Sequence, residues 1–436
     1  VERNERPIQT GEDRLDTRLI LVMRGLRQFA YGLLAVLLGV ALADEGFSPF
    51  AIGALIAVSL MGDVVSTVVI GITVDAWGRR RMLVLLALLM AGTGVVFAFA
   101  MSYPVLLVAA FFGTLGTSAS ETAPFLPIDQ AMIAQVTRPG QRTSLFARYN
   151  LVASLCTAAG ALAASLPDQL THLGIHQALG IRLLFGGYAT LALIVTGLAV
   201  RLSSYVEAEH SPIQRLRRER RLLPKLARSR RVVWQLTALF SMDALAGGLV
   251  VQSLMVLFFH LRFGVSLTTL STLFFGANLL SALSFLAAVP LARRFGLLNT
   301  MVFTHLPSNV LLFLVAFAPT FPLAATLLLL RQLLSQMDVP TRQAYTMALV
   351  DPSERTIAAS MTSLSRSLGS STSPLFAGLL LQGPLLLVGF PFILAGALKA
   401  AYDLALWVLF RRIPLPEEKS TGSEEARRSE KKAKPF

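Results

Sequence analysis

Cysteine, histidine and charge are all scarce in this chain. One cysteine, Cys156, and five histidines among 436 residues exclude an intrachain disulfide and give no spacing that reads as a metal site. Cys156 is therefore expected to be a small apolar packing residue. Charged residues make up 15% of the chain against 54% hydrophobic ones, and the mean hydropathy is +0.64; no ordinary soluble domain combines these values. No phosphate-cradling loop of the G-x-x-x-x-G-K-[ST] type occurs, and no nucleophile stands in pattern with a base, which argues against direct ATP drive and against an integral-membrane enzyme. No cofactor is implied. A formal net charge of +14 would raise nucleic-acid binding in a soluble protein, but here the basic residues gather in particular loops. That distribution speaks for membrane topology and against nucleic acid.

What the chain has is apolar length. A spanning helix needs about 20 apolar residues, and that ruler predicts twelve spans: 18–43, 48–74, 81–100, 104–135, 143–166, 178–201, 232–260, 266–291, 299–318, 322–350, 355–382 and 386–411. The predicted class is an all-α membrane protein of twelve transmembrane helices in two six-helix halves. The domains are a tail at 1–17, a first bundle at 18–201, a basic linker at 202–231, a second bundle at 232–411 and a tail at 412–436, whose Glu, Lys, Ser and Arg content predicts disorder. The first span exceeds signal-peptide length and has no evident cleavage site, so it is expected to be retained. Arg79, Arg80, Arg81, Arg138, Arg142, Arg293, Arg294, Arg355 and the linker cluster fall on one side, and the opposite loops offer little besides Arg262. This bias predicts a multi-pass cell-membrane protein in a lipid bilayer with both termini cytoplasmic.

An internal repeat supports the two halves. A shift of 213 superposes Pro127 on Pro340, Gln130 on Gln343, Ala131 on Ala344, Pro139 on Pro352, Arg142 on Arg355 and Thr143 on Thr356. A shift of 218 superposes Gly46 on Gly264, Ser48 on Ser266 and Gly78 on Gly296. Asp129 and Arg342 occupy equivalent positions with opposite charge.

Between spans 2 and 3 the chain reads Gly71-Ile72-Thr73-Val74-Asp75-Ala76-Trp77-Gly78-Arg79-Arg80-Arg81. This G-x-x-x-D-x-x-G-R-R spacing resembles the signature loop of the major facilitator superfamily of secondary transporters, with Ala76 where that family usually has arginine. The second copy, Arg293-Arg294-Phe295-Gly296, lacks the acid. The resemblance implies a gating latch on the cytoplasmic side, with Asp75 against the start of span 11 and Arg355, and Arg79 against Asp129. It also implies a central cavity lined by spans 1, 2, 4, 5, 7, 8, 10 and 11, and a monomer. At the start of span 11, Asp351, Pro352 and Glu354 read as N-cap, first-turn proline and capping box.

Ionisable residues at membrane depth are costly and therefore candidates for function. Asp63, Glu121, Asp243 and Arg366 fall near mid-span; Arg27, Arg331 and Asp338 lie off centre; Tyr31, Asn278, Gln332, Gln336 and Arg342 are polar neighbours. Asp63, Glu121 and Asp243 are the first candidates for a carboxyl that takes a proton on one side and releases it on the other. Each could equally be half of a static interhelical bridge. Pro340 is expected to break span 10 near Gln336, and Pro124 and Pro127 to break span 4. The serines of span 11 read mainly as close-packing residues, and Lys399 and Asp403, at i and i+4 in span 12, as a self-satisfied structural pair. The expected function is secondary transport of a small solute, polar or anionic, by alternating access with proton or other ion coupling. Proton-driven export of amphipathic drugs and a transport-inactive scaffold are the alternatives.

Overall fold

The computed structural model describes residues 11–100, 102–117, 124–137, 142–207, 229–351 and 354–412, and among them every regular element is a helix. Up to the linker these are α1 (Gly11–Asp44), α2 (Pro49–Trp77), α3 (Arg79–Phe99), α4 (Tyr103–Phe112), α5 (Phe125–Val136), α6 (Arg142–Ala163), α7 (Leu166–Thr171) and α8 (Gln177–Val200). Beyond it follow α9 (Arg230–Gly248), α10 (Gln252–Phe263), α11 (Leu267–Phe295), α12 (Leu297–Val315), α13 (Phe321–Ser335), α14 (Asp338–Leu349), α15 (Arg355–Leu380), α16 (Pro384–Val388) and α17 (Phe390–Phe410). The first helix starts inside the predicted N-terminal tail, because Asp16 is buried and accepts bonds from the Ser203 amide and hydroxyl. Most of the predicted linker and nearly all of the C-terminal tail lie outside the described residues.

Nine helical stretches among the described residues are long and apolar enough to cross a membrane. Predicted spans 4, 10 and 11 fall short, each for a local reason. Span 4 is split into α4 and α5. Span 10 is split at Gln336 and Met337 into α13 and α14, where Pro340 predicted a break. Span 11 is one helix, α15, whose serines, threonines and Arg366 lower its hydropathy. The layout is consistent with twelve passages. Two interruptions differ from expectation. Span 4 stops at Gly113, well before its prolines: a side chain at Gly113 would collide with the Thr93 hydroxyl, and Gly116 sits at φ +60 under the Tyr31 ring. Span 7 breaks between α9 and α10, just after Gly247 and Gly248, where no proline marks an interruption.

The repeat is matched in the backbone. Ser48 and Ser266 cap α2 and α11 in near-identical conformations, each hydroxyl accepting from the amide three residues on, and both helices run 29 residues. They end at Gly78 (φ 97) and Gly296 (φ 81), a left-handed conformation that other residues rarely adopt. Below, the end of the molecule with Gly78 and Gly296 is called the motif end, and the other the far end.

Helices before the linker meet those after it chiefly in the pairs α2–α15, α6–α11 and α1–α10. At the far end α2 and α15 touch backbone to backbone: a side chain at Gly53 would lie 2.4 Å from the Pro374 carbonyl, and one at Gly378 would lie 2.6 Å from the Pro49 carbonyl. Small residues permit this approach. Gly71 lies five turns further along the same face of α2, and a side chain there would meet nothing within 4 Å. The partner face of α15 changes in parallel, from buried Ser371, Pro374 and Gly378 to exposed Ser363 and Ser360. The pair therefore closes at the far end and splays toward the motif end.

Candidate functional site

Asp243 on α9 is the centre of the densest charge cluster. Its Oδ1 accepts from Lys399 Nζ on α17 at 2.5 Å, and its Oδ2 accepts from Arg342 Nη1 on α14 and Arg366 Nη1 on α15, each at 3.0 Å. Arg342 also pairs with Asp338 one turn back, at 2.9 Å. Arg331 on α13 is buried within electrostatic reach of both acids; its Nη1 donates to Gln332 Oε1 at 2.6 Å, and its Nε has no partner among the described residues. Four cations thus face two carboxylates. Arg342 and Lys399 are buried, whereas Arg366 leaves 30% of its side chain exposed. Isolated charges in a low-dielectric interior carry a solvation cost of several kcal/mol each, so the shared Asp243 carboxylate is what allows three cations to converge here.

Lys399 and Asp403 do not form the self-satisfied pair that their spacing predicts. The Lys399 side chain reaches across to Asp243, and Asp403 instead accepts from Asn309 Nδ2 at 2.8 Å and meets His305 Nδ1 at 2.9 Å. An i, i+4 pair on an exposed helix gains only a few tenths of a kcal/mol, less than either group gains from a buried partner on a neighbouring helix.

The first half carries the matching joint with its polarity reversed. Arg27 on α1 pairs with Asp129 on α5, and Asp129 also accepts from Tyr149 on α6 at 2.6 Å. Arg27 stacks on Phe125 and Arg24 on Tyr149, both at 4.5 Å. Spans 1 and 4 are thus joined cation to acid where spans 7 and 10 are joined acid to cation. Arg27 is 1% exposed and Asp129 not at all.

Asp63 on α2 is buried, and among the described residues its carboxylate has no ion pair. It lies near Tyr31 and Tyr188, whose hydroxyls converge on Thr114 in the interruption of span 4. Asn278 is partly buried with an unpartnered Nδ2, and the Gln336 amide donates to Ser284 on α11 at 3.2 Å. Glu121 lies outside the described residues. So the structure gathers Asp243, Asp338, Arg342, Arg366 and Arg331 with Gln332, leaves Asp63, Tyr31 and Asn278 separate, and adds Lys399 and His305. Nothing in the spacing of span 12 pointed Lys399 at Asp243; only its mid-helix depth was a signal.

At the motif loop, Arg79 does not reach Asp129. Its Nη1 donates to the Val206 carbonyl at 3.0 Å, and the amides of Arg79 and Arg80 donate to the Glu207 carboxylate at 2.6 and 3.2 Å. Glu207 thereby satisfies free amides at the start of α3, while Asp129 is already committed to Arg27. The Asp75 side chain lies outside the described residues, and Arg355 is exposed. Glu354 does not form the expected capping box: it accepts from the Ser229 amide ahead of α9 at 2.8 Å. Between the halves, the described hydrogen bonds lie where the broken spans meet and at the far end. The Thr117 carbonyl accepts from Ser253 N at 3.4 Å and Oγ at 2.9 Å, and Asp168 accepts from the Thr268 amide at 2.8 Å at the start of α11.

A groove of about 820 Å³ runs between α9, α15 and α17, lined by Trp234, Met242, Leu245, Leu364, Leu368 and Leu398 among others. It is apolar and lies on the face of α15 turned away from Ser363 and Ser367. Its chemistry suits acyl chains, and it is separate from the charge cluster.

The sequence profile described as Major Facilitator Superfamily matches residues 20–334 and 251–436. An uncharacterized membrane protein of Saccharomyces cerevisiae, YJR124C, is 27% identical over 422 residues, covering 91% of this chain and 94% of the yeast protein. Among solved structures, a mutant of the nucleoside transporter NupG superposes with a TM-score of 0.71 at 14% identity, over 91% of this chain and 100% of the other. A D-xylose-proton symporter gives 0.69 at 14% identity, over 91% and 98%. At such identities these two likenesses concern the fold alone.

Proposed function

The chain belongs to the major facilitator superfamily, and on that premise we propose that it is a secondary transporter that moves a small polar or anionic solute by rocking its two six-helix halves about a central cavity. The observation that carries this reading is the α2–α15 pair, sealed at Gly53 and open at Gly71. An arrangement closed at one end and splayed at the other is one of the two states that alternating access requires, and Gly71 leaves room for the motif end to close as the far end parts. The excess of Arg and Lys in the loops of the motif end supports a cytoplasmic motif end in the cell membrane. The basic cluster about Asp243 supports an anionic solute, and the likeness to a nucleoside transporter and a sugar-proton symporter agrees with a polar one and with proton coupling. Asp63 is the proposed proton-carrying acid, since it is a buried carboxyl with no ion pair among the described residues. Arg27 and Asp129 take the role of a structural joint. The protein works as a monomer.

The test is flux. Purified protein in proteoliposomes, offered pooled metabolites and dyes under an imposed pH gradient, is expected to accumulate a polar or anionic solute in a gradient-dependent way. Accumulation of amphipathic dyes alone would favour drug export, and no flux of either class under any gradient would favour a transport-inactive scaffold.

A further inference from the structure

Asp243 receives more positive charge than it can balance. Arg331, Arg342, Arg366 and Lys399 stand against Asp243 and Asp338, and the neighbouring Asp403 is held by His305 and Asn309. The cluster is left with a surplus of one positive charge. Buried charge is retained where something neutralises it.

The geometry of Arg366 says where. It touches Asp243 through Nη1 alone, and it shares Oδ2 with Arg342, which also engages through a single nitrogen. Among the described residues Arg366 has no second bond, so the parallel N–H edge that grips a carboxylate or phosphate with two bonds is unspent. Arg366 is also the most accessible member of the cluster, with 30% of its side chain exposed. On α15 it sits beside Ser363, one turn back and exposed, and Ser367, half-buried, on the side that opens where α2 swings away. This guanidinium and these hydroxyls are accessible to a solute, whereas Arg342 and Lys399 are buried.

We propose that Asp243 is a place-holding counter-ion: a small organic anion with a carboxylate or phosphate group binds Arg366 in a two-bond contact and displaces the Asp243 carboxylate from it, Lys399 and Arg342 remaining on Asp243. This deepens the transport reading by naming the substrate's charged group and the contact it exchanges, and it rests on that reading only for the statement that the bound anion is then moved. The displacement gives the site two stable arrangements, with Arg366 on Asp243 when empty and on the solute when loaded. It also gives an unusual expectation: removing the negative charge of Asp243 removes the competitor.

The experiment measures binding apart from flux. Detergent-purified full-length protein is titrated by calorimetry and by thermal shift with acetate, succinate, glycerol phosphate and, as a neutral control, glycerol. Succinate or glycerol phosphate, or both, is expected to bind saturably and to raise Tm, with glycerol inert; which of the two binds more tightly separates a carboxylate site from a phosphate site. Arg366→Gln is expected to weaken that binding at least tenfold and Arg366→Lys about threefold, since an ammonium lacks the paired N–H edge. Asp243→Asn is expected to tighten it several-fold. Should Asp243→Asn fail to fold, Lys399→Gln serves instead: Asp243 is then less neutralised and competes harder for Arg366, so binding weakens about threefold while the neutral control stays inert. Equal binding of glycerol and the anions, or binding unaffected by Arg366→Gln, would overturn the proposal and leave secondary transport of another solute intact. Anion binding without flux would uphold the site and contradict the transporter reading.

Discussion

The two halves solve the same problem with opposite signs. In the first, a cation on span 1 meets an acid on span 4, and the pair is sealed: Arg27 and Asp129 are buried, with Tyr149 and Phe125 closing around them. In the second, an acid on span 7 meets a cation on span 10, but Arg366 and Lys399 join them and Arg366 stays partly exposed. In the first joint one cation meets one acid, whereas in the second Arg331, Arg342, Arg366 and Lys399 gather about Asp243 and Asp338. A sealed pair holds helices together, whereas a partly exposed one can exchange a partner; on the proposal above, one joint is a brace and the other a site.

This difference can be broken in graded steps. The largest effect is expected from Asp129→Ala, which leaves Arg27 buried and unpaired at a cost of about 3–5 kcal/mol; monodisperse protein should be lost on size exclusion. Gly53→Leu should act almost as strongly, because the far-end contact of α2 with α15 has no room for a side chain. Gly71→Leu is the informative partner: it should leave folding within about 0.5 kcal/mol yet cut flux at least tenfold by blocking closure of the motif end, measured as uptake per folded protein. Unchanged flux in Gly71→Leu would mean that α2 and α15 never approach there. Asp63→Asn should fold normally and abolish the dependence of uptake on a pH gradient while downhill exchange persists; retained gradient dependence would remove Asp63 as the coupling acid. The smallest effect is expected from Arg79→Ala, since among the described residues that side chain reaches only the Val206 carbonyl and the Glu207 contacts are made by backbone amides; a change in Tm beyond a degree or two would contradict this.

Much of the fold was legible because a bilayer demands long apolar runs and because a repeat at a constant offset fixes equivalent positions. Ser48 with Ser266 and Gly78 with Gly296 fell where the repeat put them. The interruptions were read less well. Span 4 stops at Gly113, where Thr93 leaves no room for a side chain, rather than at its prolines, and span 7 breaks after a glycine pair for which periodicity gives no warning. For the site, membrane depth singles out Asp243 and Arg366, and inverted charge at positions 129 and 342 hints at paired joints. Spacing along one helix misled for Lys399 and Asp403, whose partners lie on other helices; in this arrangement, open at the motif end, Arg79 meets Val206 and Glu207 while Asp129 is engaged by Arg27. Contacts between helices distant in sequence leave no local trace.

The account rests on one joint being a brace and the other a site, and the most direct measurement neutralises both partners of each. Removing both members of a purely structural ion pair is close to neutral, whereas removing one is costly. Initial uptake rates in proteoliposomes should therefore be compared for Arg27→Gln/Asp129→Asn and for Asp243→Asn/Arg366→Gln, each normalised to folded protein. The first pair of changes is expected to keep uptake within about threefold of the parent and the second to lower it at least tenfold; equal losses in the two, or the reverse order, would contradict the assignment of the working site to the second half.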